Sequence, residues 1–274
     1  MDVVNPARAV AELTAASTYP RLKDGRPDVP DALLERIKAV VTVERAWSVL
    51  RKHGFINQVE GGWHRAHPDR ILVGRAITAA FVPKRPDFHN LVDEAGHGAG
   101  YISGGGGQNS WVMQQLAPGD VLVADMMGRI KDGPIVGDIL STYMGGHGVA
   151  GAVINGGIRD VHGIPEIPNI SIFCRGIHPS HIIEATLLGM NYPLRMGDAM
   201  VLPGDVVLGT VAGVIFIPPQ FVEEIIKSAE DTAVRDRFAK QRMREKKWGP
   251  GLIDRLEWPP EIEQDFQAWR ATQG

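Results

Sequence analysis

The sequence predicts an α/β fold, on three observations. From Asp120 onward, strand-like runs alternate with a helix-length segment: Val121–Asp125, then Ile135–Met144, then Val149–Ile154. That order is the strand–loop–helix–strand form of an α/β unit. Two longer stretches, 30–54 and 220–247, carry apolar residues at close to a 3.6-residue period, the mark of helices with one buried face. The 32 glycines and 19 prolines punctuate loops without a fixed period, which excludes collagenous and solenoid architectures.

Taken in order, residues 1–29 read as a proline-punctuated arm, 30–247 as the main domain and 248–274 as an aromatic tail. Leu33, Leu34, Ile37, Val40, Val41, Ala46 and Leu50 make one helical stripe over Pro30–Gly54. Ile71–Phe81 reads as a strand, and Pro83 ends it. Residues 84–110 hold His89, Asp93, Glu94, His97 and the tetraglycine 104–107 with little periodicity. Such a tract inside a compact domain is expected to be a functional loop or lid.

One or two helical turns follow at Trp111–Leu116. Ile170–Cys174 reads as a strand, Ile182–Leu188 as a helix, and 199–202, 206–208 and Val214–Ile217 as strands. Gln220–Lys247 is the best amphipathic helix, with Val222, Ile225, Ile226, Ala229, Ala233 and Phe238 on its apolar stripe. Glu223, Glu224, Asp231, Arg235, Asp236, Lys240 and Arg242 make its solvated face. The tail's Trp248, Trp258, Phe266 and Trp269 are expected to dock on the domain itself or on a neighbouring subunit.

A chain of 274 residues can bury a full core. Its net charge of −3 argues against a nucleic-acid partner. One cysteine, Cys174, excludes an intrachain disulfide and suits a reducing compartment; on a strand it reads as a buried, inert thiol. No basic segment followed by an apolar one opens the sequence, and no apolar run approaches the ~20 residues of a membrane span. The expectation is a cytoplasmic protein with no membrane partner.

The chemistry concentrates in two motifs. Val149–Ile154 runs through Gly156-Gly157 into Arg159-Asp160, so a buried strand delivers a cation and an anion at a glycine-rich mouth. Two such charges are costly there without partners. Gly137-Asp138-Ile139-Leu140 stands at the start of a predicted helix, where free N–H groups bind carboxylate or phosphate. A carboxylate held there and forked by Arg159 would leave a keto oxygen for a metal. Asp160 and Asp138 are hard oxygen ligands suited to Mg²⁺ or Mn²⁺. The plain alternative for Arg159-Asp160 is a surface ion pair of little worth.

These motifs, with Gly119-Asp120-Val121-Leu122-Val123-Ala124-Asp125 and Pro203-Gly204-Asp205-Val206-Val207, resemble the RraA-like family. That family includes class II 4-hydroxy-4-methyl-2-oxoglutarate aldolases and RraA-type ribonuclease regulators, and some members are mislabelled as menaquinone methyltransferases. The resemblance covers roughly 30–245 and is most specific over 119–160. It implies a three-layer β/β/α fold with a C-terminal helical extension, trimers or hexamers, and a site between subunits. By similarity Arg159 contacts a pyruvyl group and the amides of Gly137–Leu140 hold its carboxylate. Asp160 binds the metal directly and Asp138 acts through water. An acid of a neighbouring subunit's C-terminal helix, Glu230 or Asp231, completes the set.

The implied reaction is retro-aldol cleavage or decarboxylation of a small 2-oxo acid through a metal-held pyruvate enolate. The alternatives are a hydratase, dehydratase or hydrolase on a related acid, or a non-catalytic regulator that binds a ribonuclease. Met126-Met127-Gly128 stands where relatives have a glycine run, Gly209-Thr210-Val211-Ala212-Gly213 lacks two family acids, and Glu44-Arg45 stands where an aspartate is common. These departures spare the pyruvyl half of the site. The histidines at 89, 97, 147, 162, 178 and 181 lack zinc-ligand spacing, but His89 or His97 could serve as an acid or base. The tetraglycine lacks the Gly-Lys-Ser/Thr ending of a phosphate loop. Lys131-Asp132-Gly133 reads as a turn close to the site.

Overall fold

The computed structural model describes residues 2–104, 107–255 and 257–272. In chain order the elements are α1 Ala7–Leu13, α2 Asp31–Val40, α3 Val43–Lys52, β1 Val59–Glu60, β2 His64–Arg65, β3 Leu72–Pro83, α4 Pro86–Gly98 and α5 Asn109–Gln114. There follow β4 Asp120–Asp125, α6 Asp138–Gly146, β5 Gly151–Ile158, β6 Ser171–Ile177, β7 Ala185–Met190, β8 Leu194–Met196, β9 Ala199–Val201, β10 Val206–Thr210 and β11 Gly213–Ile217. The chain closes with α7 Val222–Arg244, α8 Pro250–Ile253 and α9 Pro260–Ala271.

A nine-stranded sheet runs β1-β11-β10-β3-β4-β5-β6-β2, with β7 on the second half of the long β3. Its centre, β3-β4-β5-β6, is parallel, and its flanks are antiparallel. Alternation along the strands sorts side chains to two faces. Leu122, Ala124, Ala152 and Ile154 meet α4–α6, and Val206 and Leu208 meet α2, α3 and α7. Val121, Val123, Val153 and Val207 point the other way, onto Leu194, Met196, Ala199 and Val201 of the β8–β9 hairpin. Hairpin, sheet and helices are the β/β/α layers that the resemblance implies.

Four local readings change. The 30–54 stripe splits at Val41, because Thr42 accepts the Arg45 N–H at 3.2 Å and caps a new helix. Within 84–110, Pro86–Gly98 form α4, whose Gly96 lies so close to Trp111 that an added Cβ would sit 2.3 Å from the ring. A short stripe of Phe88, Val92 and Ala95, packed on the core, gave too weak a period to stand out. Gly105 and Gly106 of the tetraglycine lie outside the described residues. Residues 182–188 are strand rather than helix from Ala185, since β3 extends far enough to pair with them; a short apolar run is ambiguous until a partner decides it. Ala233 is exposed, while the other five apolar positions of α7 are buried.

The arm is tied into the sheet. Val4 bridges Met190, and Arg26, 2% exposed, reaches under the sheet to Asp120, 1% exposed. The tail packs on its own α7 through Phe238, Ile262, Phe266 and Trp269. There Asp265 is partly buried but receives Arg242, Lys247 and Trp248, which hold its carboxyl well below the usual range.

One turn occurs twice. In Ala117-Pro118-Gly119-Asp120 and Leu202-Pro203-Gly204-Asp205 the Asp N–H donates to the first residue's carbonyl (3.1 Å each), and that residue's N–H donates back to the Asp carboxyl (2.9 Å each). Both glycines have positive φ, +77° and +89°, so the turn needs glycine there. The two turns feed β4 and β10, which lie on opposite sides of β3.

Candidate active site

A cavity of about 540 Å³ opens where β5 ends and α6 begins, at the carboxyl ends of the parallel strands, the usual ligand position in α/β sheets. Gly137, Asp138, Ile139, Leu140, Arg159 and Asp160 all line it. The two motifs, some twenty residues apart in sequence, therefore line one space as adjoining walls.

The glycines explain how the walls approach. A Cβ on Gly137 would sit 2.5 Å from Asp160 Oδ2 and 3.2 Å from Arg159 Cγ. Gly156 and Gly157 do a different job from admitting a ligand: added Cβ atoms would meet Met126 Cβ at 2.6 Å and Ile130 O at 2.6 Å. They let the loop after β4 cross β5. The register of β5 on β6 shifts between Ile154 and Gly157, and a bulge of this kind re-aims the strand beyond it. The Arg159 N–H then donates to Val136 O at 3.1 Å, fixing the strand end to the segment before α6.

Asp160 sits at φ +52°, a left-handed conformation that aspartate tolerates better than most residues but that is uncommon and clusters at functional sites. Its Oδ2 is 3.2 Å from Arg159 Nε, and both side chains are about two-fifths exposed (43% and 40%). Each therefore keeps hydrogen-bonding capacity facing the cavity. Gly137 gives α6 no side-chain cap, so the Asp138 and Leu140 N–H groups of the first turn keep their anion-binding character. Asp138 Oδ1 accepts the Ile139 N–H at 2.8 Å.

The donor set suits a hard divalent ion only in part. Among the described residues no three His, Cys, Asp or Glu groups converge. Two carboxylates at one cavity are nonetheless what Mg²⁺ usually takes from protein, with water and substrate oxygens supplying the rest. Glu230 is elsewhere in this chain: on α7, bonded to Arg36 at 2.8 Å and exposed.

Sequence reasoning missed the far wall. Asn109, Ser110 and His181 line it, with Ile135 and Ile182 between them. Asn109 is 4% exposed and donates to Ile135 O at 2.8 Å, while among the described residues its buried Oδ1 has no partner. No motif signals these residues, because α5 and the 178–184 loop meet only in three dimensions. His89 and His97 lie outside the cavity: His89 bonds Thr186 at 2.9 Å and Asp93 at 3.3 Å, and His97 bonds Ser103 at 3.1 Å. Lys131 does not line it either. Its turn anchors the loop that carries His181, through Asp132 N–H to Ser180 Oγ at 2.7 Å. Cys174 is buried, which pushes its thiol up to about 11 and makes it a poor nucleophile.

A relative from Halalkalibacterium halodurans, named "Putative 4-hydroxy-4-methyl-2-oxoglutarate aldolase", is 32% identical over 124 residues, 45% of this chain and 58% of that one. Legionella pneumophila protein DlpA is 26% identical over 178 residues, 61% of this chain and 25% of that one. The matches thus span less than two thirds of these relatives. Among solved structures, Streptomyces coelicolor RraAS2, described as an unusual member of the RNase ES inhibitor RraA family, aligns with TM-score 0.65 at 27% identity, covering 79% of this chain and 98% of that one. An uncharacterized Pseudomonas syringae protein shares the fold, with TM-score 0.66 at 20% identity over 83% and 94% of the two chains. The family model described as Aldolase/RraA matches residues 27–216, and the chain belongs to the RraA-like family.

Proposed function

We propose that the cavity between β5 and α6 is the active site of a divalent-metal-dependent carbon–carbon lyase acting on a small 2-oxo acid, by retro-aldol cleavage or decarboxylation. The observation that carries the reading is the pairing of half-exposed Arg159 and Asp160 with an uncapped helix start in one cavity. Arg159 and the α6 amides bind the substrate carboxylate, a bidentate cation and a helix N-terminus acting on the same group. Asp160, with Asp138 through water, would hold Mg²⁺ or Mn²⁺. The ion, when bound, supplies Lewis-acid polarisation of the keto oxygen. As the C3–C4 bond breaks, its electron pair enters the enolate of pyruvate, whose charge Arg159 stabilises; the far fragment leaves as a carbonyl compound after its 4-hydroxyl gives up a proton to water, or as CO2, and C3 takes a proton from water to give pyruvate. Asn109, Ser110 and His181 meet the distal part of the substrate.

Assembly as a trimer or hexamer belongs to the same reading, because Glu230 can reach the site only from a neighbouring subunit. The decisive experiment treats protein with EDTA, restores Mg²⁺ or Mn²⁺ and supplies oxaloacetate and 4-hydroxy-2-oxo acids. Metal-dependent pyruvate release is expected, and Asp160→Ala abolishes it. No pyruvate from any of these substrates would sink the lyase reading. The likeness to RraAS2 supports a second reading, a regulator that binds a ribonuclease; a pull-down with an RNase E-type enzyme that is unaffected by Arg159→Ala would favour it.

A further inference from the structure

A second cavity, of about 460 Å³, lies beside the turn that opens β10 and shares no lining residue with the first. Leu13 of the arm, Phe55, Ile56 and Pro218 give it apolar walls, and among the described residues no Lys, Arg or His lines it. Thr14, Asn57, Gln58, Asp205 and Gln220 bring acceptor oxygens to it. Asp205 is 3% exposed, and among the described residues its carboxyl receives one hydrogen bond, from the Leu202 N–H. Gln58 is 7% exposed; its amide donates to Met200 O at 3.1 Å, and its Oε1 is buried without a partner.

The repeated turn shows what is missing. Asp120, in the same geometry, receives the Arg26 guanidinium in a fork of 2.8 and 3.0 Å. Asp205 has the same backbone bond but, among the described residues, no cation, and burial pushes its carboxyl up to about 7. A buried carboxylate with one hydrogen bond and no counter-charge is costly. The volume is many times the ~30 Å³ share of one water.

We propose that this second cavity binds a small organic cation, an alkyl- or arylammonium group whose N–H donors meet the Asp205 carboxylate. Its hydrocarbon part lies on Phe55 and Pro218. An ammonium there does for Asp205 what Arg26 does for Asp120. The absence of any lining cation disfavours anionic ligands and separates this site from the first cavity, which has Arg159.

The test is calorimetric titration of the full chain with benzylammonium chloride, and with benzyl alcohol as the neutral isostere. Saturable binding of the ammonium is expected, with benzyl alcohol at least about tenfold weaker. Asp205→Asn keeps an acceptor for Leu202 and should weaken the ammonium about tenfold or more. Ala16→Trp, at an exposed lining position, should block binding and decides the matter if the Asn variant does not fold. No saturation by about 10 mM, equal affinity for the two probes, or undiminished binding in Ala16→Trp overturns the proposal.

Discussion

Arg26–Asp120 and Arg159–Asp160 sit at opposite ends of the parallel strands, and they do opposite things. Arg26–Asp120, at the start of β4, is 2% and 1% exposed, bidentate, and supported by Ala76 O and the Ala117 N–H. Arg159–Asp160, past the end of β5, makes one contact at 3.2 Å and leaves both groups about two-fifths exposed. The first pair is committed to the protein on most sides, with Arg26 Nε also donating to Asp24 at 2.6 Å. The second keeps its capacity for something else. Residue type alone does not distinguish a staple from a site; the number of partners already present does.

That contrast breaks most sharply at Arg26. Arg26→Ala leaves Asp120 buried without its cation, which costs about 3–5 kcal/mol, read as a fall in the denaturation midpoint. Arg26→Met combined with Asp120→Leu should recover much of the loss, because an apolar pair escapes the desolvation penalty. A single variant within about 1 kcal/mol of wild type would mean that the arm does not staple the sheet.

Arg159→Ala should do the reverse. Its loss leaves stability within about 0.5 kcal/mol while kcat/KM for pyruvate formation drops about 10²–10³-fold. Asp160→Asn tests the conformation separately: asparagine also tolerates the left-handed region, so the fold survives and the metal response disappears. A large loss of stability in either variant would show the second pair to be structural after all.

Much of this division was legible in the sequence, and its limits were physical. The strands from 120 to 158 and the two site walls follow from apolar runs and glycine–charge adjacency, which are local signals. The far wall was not legible, since Asn109 and His181 are 72 residues apart and come to one cavity only in three dimensions. Nor was Arg26, one charge in a proline-rich arm until its partner is seen. Residues 84–98 misled because their buried stripe is short, and 185–190 because pairing with β3 decides strand over helix.

The repeated turn gives a smaller effect with a pH signature. Asp205 has its carboxyl raised to about 7 by burial. Between roughly pH 4 and 7 the folded state keeps a proton that the unfolded state has released, so stability falls as pH rises through that window. Asp205→Asn should flatten the slope and be more stable than wild type at pH 8 by up to a few kcal/mol. An unchanged slope would mean that Asp205 already has its cation.

The smallest effect is expected at a third ion pair, Arg36–Glu230, where the side chains are 51% and 44% exposed at 2.8 Å. Exposed pairs contribute about 0–1 kcal/mol, so Arg36→Ala should barely move the denaturation midpoint. Its value lies in what else it reads. If Glu230 serves a neighbouring subunit's site, freeing it from Arg36 should preserve or raise turnover, whereas Glu230→Gln should lower it. A loss of more than about 2 kcal/mol in Arg36→Ala would exceed anything an exposed pair supplies. The pair would then be buried between subunits, and Glu230 would belong with Arg26 and Asp120 as a staple rather than with Arg159 and Asp160 as part of the site.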